Sequence, residues 1–82
     1  MLKWEHKEIG GRTISFLGNL KKVFAADVRK GDHIIDLVVH YNVLDVVWFE
    51  GTVIIEVEEV IGSFVLPSKL IEKNGTFRFT LV

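Results

Sequence analysis

Val43-Leu44-Asp45-Val46-Val47-Trp48-Phe49, then Glu50-Gly51, then Thr52-Val53-Ile54-Ile55-Glu56-Val57-Glu58-Glu59-Val60 is the stretch that decides the fold. Both arms are rich in β-branched and aromatic residues, which fit a pleated, half-buried surface. Along the second arm Val53, Ile55 and Val57 alternate with Thr52, Ile54, Glu56 and Glu58, a period of two that belongs to a strand. The Glu-Gly pair supplies the positive φ of a two-residue hairpin turn. An antiparallel hairpin is predicted.

Outward from it, other runs repeat the pattern. Leu2–Glu8 and Thr13–Leu17 flank Gly10-Gly11 and predict an N-terminal hairpin. Arg29-Lys30-Gly31-Asp32 reads as a turn, after which His33 to Tyr41 reads as one strand that bends at Asn42. In that strand His33, Ile35, Leu37, Val39 and Tyr41 share the core face, opposite Asp36 and His40. Gly62-Ser63 and Asn74-Gly75 are further turns, and Phe77, Phe79 and Leu81 alternate in a last strand, Thr76–Val82. Pro67 confines its segment to an edge. Leu17–Ala26 and Ser68–Lys73 show no clear strand pattern and are too short for a long helix.

The expected architecture is all-β: one domain over residues 1–82, with five to seven antiparallel strands curled into a small barrel. The N-terminal hairpin and the C-terminal strand extend it. Such a chain has a thin core. Yet 49% of its residues are hydrophobic, and it has no cysteine to staple the fold. Disorder is excluded on composition. No run approaches the about 18 uncharged apolar residues of a membrane span, and charges at Lys3, Glu5, Lys7 and Glu8 exclude a signal peptide. A cytoplasmic location without membrane contact is expected. The net charge of −1 is segregated: no lysine or arginine occurs from Gly31 to Ser68, where seven carboxylates fall.

Arg29-Lys30-Gly31-Asp32-His33-Ile34-Ile35 resembles the segment that opens the second strand of Src-homology-3 barrels. Gly62-Ser63-Phe64-Val65-Leu66-Pro67-Ser68-Lys69-Leu70-Ile71 is similar to their closing stretch, and Trp48 and Gly51 fall near their tryptophan-bearing hairpin. The likeness covers residues 28–71. Phe24 to Asp32 also looks like the lead-in of Hint folds and of small phage-encoded β-barrels. These resemblances imply a small barrel. They do not carry polyproline binding over, because residues 12–28 hold Phe16 and Phe24 but no tyrosine, and Trp48 is followed by Phe49 instead of a second tryptophan.

No constellation predicts catalysis. Ser15, Ser63 and Ser68 have no histidine at a motif spacing, and Glu56, Glu58 and Glu59 read as a solvated face. His33, Asp36 and His40 suggest metal ligands, but one straight strand sets Asp36 and His40 about 13 Å apart and turns His33 away. Neither a metal nor another cofactor is expected. What remains is a binding function. The reading is a non-catalytic protein-binding module, set in a phage or mobile element acting on a host factor. The alternative is a nucleic-acid-binding barrel using Lys21, Lys22, Arg29 and Lys30. Alternation cannot bury both faces of Val43–Phe49. The expected interface is therefore Leu44, Val46 and Trp48, together with Phe77 and Phe79 on a flat C-terminal edge strand, and a two-fold homodimer is expected.

Overall fold

A computed structural model describes residues 3–82. The central hairpin forms as expected, from β5 (Val39–Phe49) and β6 (Thr52–Ile61), with Glu50 and Gly51 at φ 50° and 79° in its turn. The N-terminal hairpin pairs β1 (Glu5–Ile9) with β2 (Arg12–Leu17) through Gly10 and Gly11, both at positive φ. Then come β3 (Leu20–Phe24), a 3₁₀ turn (Ala25–Asp27), β4 (His33–Asp36), β7 (Phe64–Val65), β8 (Lys69–Asn74) and β9 (Arg78–Leu81). Every pairing is antiparallel. The chain is all-β, and among the described residues no helix is long and apolar enough to cross a membrane.

The strands form one sheet in the order β1-β2-β3-β9-β4-β5-β6, and the far side of β6 is shared between β8 and β7. The hydrogen-bonded path does not return to its start. It is an open sheet with free edges at β1 and at β7–β8, where a closed barrel was expected. Curvature does the work of closure. Ile14, Val23, Phe79, Leu81, Ile34, Tyr41, Val43, Val53, Ile55 and Val57, from six different strands, share one buried cluster with Ala25 and Val28. Each fully buried side chain of this size contributes about 1.5–3 kcal/mol.

Four local expectations are corrected. Leu17–Ala26 contains the end of β2 and all of β3, linked at Gly18-Asn19. Ser68–Lys73 is largely β8, held to β6 from Val57↔Lys69 to Thr52↔Asn74. His33 to Tyr41 is not one strand: a two-residue turn at Leu37-Val38 folds it into the β4–β5 hairpin, and β5 runs through Asn42 unbroken. Finally, β9 is no edge. It lies between β3 and β4, hydrogen-bonded to both.

Arg12 fixes the first hairpin to the rest. Its guanidinium donates to both carboxylate oxygens of Asp32, at 2.6 and 3.2 Å, and to the carbonyl of Asp27 at 3.3 Å. Asp32 also accepts the backbone N–H of Arg29 at 2.8 Å, so one carboxylate closes its own turn and anchors another. The side chain of Arg29 lies over Gly10 and Gly11, where a Cβ would meet its nitrogens at 3.5 and 3.4 Å.

Candidate functional site

Two turns meet at one end of the sheet. Register pairs Asp36 with Val39, His40 with Val60, and Ile61 with Phe64, so the β4–β5 turn lies beside the β6–β7 turn. Leu37 and Val38 form the first tip, 93% and 86% exposed. Leu37 takes φ 57°, a left-handed value that branched residues rarely adopt. Ile61, Phe64 and Val65 flank the second turn, all exposed, Phe64 at 74%. Exposure continues without a break from Ile61 to Leu70, where Lys69 is the one charged residue. The acids bordering this end are already paired. Asp36 meets Lys73 Nζ at 3.2 Å and Glu59 meets Lys69 Nζ at 3.6 Å. The tips of this end are thus apolar and shaped by a strained turn, with paired acids at their border and Lys22 and Arg78 across a cavity that Leu37 helps line.

The expected interface residues lie elsewhere. A β-bulge leaves Leu44 as an extra residue between Val43↔Val57 and Asp45↔Glu56, which turns Val46 and Trp48 to the same side as Val43. Val46 packs against the core and Leu44 is half-buried. Trp48 is about half exposed, but its ring lies on Gly75, where a Cβ would come within 3.0 Å of Cη2. Phe77 packs edge-to-face on Phe79, and Phe79 is fully buried. With β9 internal, Phe77 and Phe79 cannot offer a strand edge. The bulge and the placement of β9 are long-range outcomes, invisible to alternation. The missed residues Leu37 and Val38 left no distinguishing signal, since runs of three apolar residues also occur inside β5 and β6.

The basic residues Lys21, Lys22, Arg29 and Lys30 do not form one patch. Lys21 pairs with Phe16 and Lys22 with Ser15 on β2, so the two side chains point to opposite faces, while Arg29 covers the Gly10-Gly11 turn. A different basic-aromatic group forms on the outer face of β3 and β9. The Arg78 guanidinium carbon lies 5.0 Å from the Phe24 ring centre and 6.0 Å from that of Trp4. Beside it Lys22, Arg78 and Thr80 help line an open cavity of about 480 Å³.

Possible chemistry is limited. His6 Nδ1 and Ser15 Oγ are hydrogen-bonded across β1 and β2 at 2.8 Å, a pairing that no motif spacing signalled. Ser15 is buried, so the bond satisfies a hydroxyl that substrate could not reach. Among the described residues no group of three or more His, Cys, Asp or Glu is placed to hold a metal ion. The histidines nevertheless contradict the straight-strand reading. The Leu37-Val38 turn brings His33 Nε2 to 2.9 Å from His40 Nδ1 on one face and leaves Asp36 on the other. No family model, curated protein or solved structure matches the chain.

Proposed function

We propose that the chain is a non-catalytic protein-binding module whose apolar end docks onto a second copy of itself. The observation that carries this is the pair Leu37 and Val38, large apolar side chains almost wholly in water on a left-handed turn, next to exposed Phe64. Strain and exposed apolar area together stabilise nothing in a lone chain, and such outliers cluster at binding sites. A second copy is a suitable occupant because the acids at this end, Asp36 and Glu59, have their own lysines, so two copies meet without carboxylate repulsion, and the nearby cations Lys22 and Arg78 lie in the cavity on the β9 side of Leu37. Within this reading the sheet is a relative of Src-homology-3-like barrels, and the setting is a phage or mobile element.

Sedimentation velocity over a dilution series tests it. A monomer–dimer equilibrium is expected, and Leu37→Asp and Phe64→Asp should each shift it to monomer with the circular dichroism spectrum unchanged. A monomer up to high micromolar concentration would overturn the reading. So would a dimer that both variants leave intact.

A second reading, nucleic-acid binding, is supported by the group of Lys22, Arg78, Trp4 and Phe24, since cations interleaved with aromatic rings suit a single strand. Binding to an oligonucleotide that weakens steeply with salt would favour it over the first.

A further inference from the structure

We propose that His33 and His40 form a two-histidine site for a late first-row divalent cation of the nickel or copper class, on the outer face of the β4–β5 hairpin. The facing nitrogens, His33 Nε2 and His40 Nδ1, are 2.9 Å apart, and the rings meet at 70° with centroids 5.1 Å apart. Imidazole nitrogens bind such ions at about 2.0–2.1 Å, so two nitrogens at this spacing subtend about 90° at a shared ion. That is the angle between adjacent positions of an octahedral or square-planar ion. With the centroids 5.1 Å apart the rings point nearly at each other, so each must turn to aim its lone pair at a shared ion, and it is the usual affinity order of divalent ions that favours the nickel and copper end.

The pair is available as well as spaced. The backbone of a tight antiparallel hairpin holds both rings, His33 being paired to Asn42 and His40 to Ile35. Without an ion, one ring donates its N–H to the other. On binding, that proton moves to the far nitrogen of its own ring, and both facing lone pairs turn to the metal. Water fills the other positions.

The surroundings favour a cation independently of the rings. Asn42 donates to Glu58 at 3.2 Å, and Glu58, Glu56 and Asp45 follow on the same face by register. By register Lys22 lies on this face too, two strands from Ile35 on the side away from these acids. The field of the acids raises the local concentration of divalent ions.

Calorimetric titration of the full chain with NiCl₂ in a non-coordinating buffer near neutral pH is the test. One ion per chain is expected. His33→Ala and His40→Ala should each weaken binding at least about tenfold, since losing a ligand costs no less than losing the partner that orients one. His6→Ala, on the first hairpin, should bind as the parent does. Nickel-induced broadening of the ring resonances of His33 and His40, and not of His6, gives a second readout in the unaltered chain. Absence of saturable binding up to about 1 mM would overturn the proposal. So would equal affinity in the His33 and His40 variants, or broadening centred on His6.

Discussion

Leu37 combines two unfavourable choices at one position. A left-handed backbone costs a branched L-residue about 1–2 kcal/mol, and its side chain gains no burial in return. Asparagine tolerates this conformation far better. Leu37→Asn should therefore raise stability by about 1 kcal/mol in urea unfolding, and by the binding reading it should weaken the dimer. If stability rises while self-association is unchanged, the docking surface lies elsewhere. Arg12 is the opposite case, a polar residue that the fold requires. Its two bonds to Asp32 are largely shielded, with side-chain exposures of 17% and 12%. Arg12→Ala should cost about 2 kcal/mol, and Arg12→Lys should recover little, because an ammonium cannot span both oxygens. Urea midpoints of the two variants decide it. The partners stand twenty residues apart in the chain, so periodicity gives no hint of them.

At the scale of elements, legibility followed turn chemistry. Hairpins closed by Gly10-Gly11 and Glu50-Gly51 could be read because glycine announces a positive φ. The β4–β5 hairpin could not, because Leu37-Val38 contains no residue that favours such a turn. That omission also hid the meeting of His33 with His40 and the apolar tip itself. β8 escaped notice because its Lys-Leu-Ile-Glu-Lys-Asn sequence lies on an edge, where burial imposes little alternation. The bulge at Leu44 has a consequence of its own. With Leu44 removed, Val43, Val46 and Trp48 still face inward while Asp45 and Val47 still face outward. Deleting Leu44 should thus preserve the fold and cost no more than about 2 kcal/mol, chiefly its own partial burial. Deleting Val46 instead would put Val47 inward and turn a core contact out, and should abolish cooperative unfolding. Thermal melts of the two deletions, side by side, test the register.

Across the whole molecule, the all-β class was legible and the strand order was not. Alternation says that a strand has a buried face but not which neighbours it takes, and the pairing of β9 with β3 and β4 joins residues more than forty positions apart. The exposed apolar surface was anticipated in kind and misplaced in position, because bulge and topology gave Val46 and Phe79 to the core. The charge pattern bears on the assembly. An interface built from Leu37, Val38 and Phe64 has no ion pairs to screen, so its dimer constant should change little between dilute and concentrated sodium chloride. A strong loss with salt, measured by sedimentation, would point to charged contacts instead. The internal seat of β9 also sets how the protein yields to force. Pulled by its two ends, β1 peels from a single neighbour one hydrogen bond at a time, whereas β9 is gripped by ladders on both flanks and by the bond from Val82 N–H to the His33 carbonyl. Single-molecule extension should show the first hairpin giving way at low tension, then a later rupture as the β9 ladders part together.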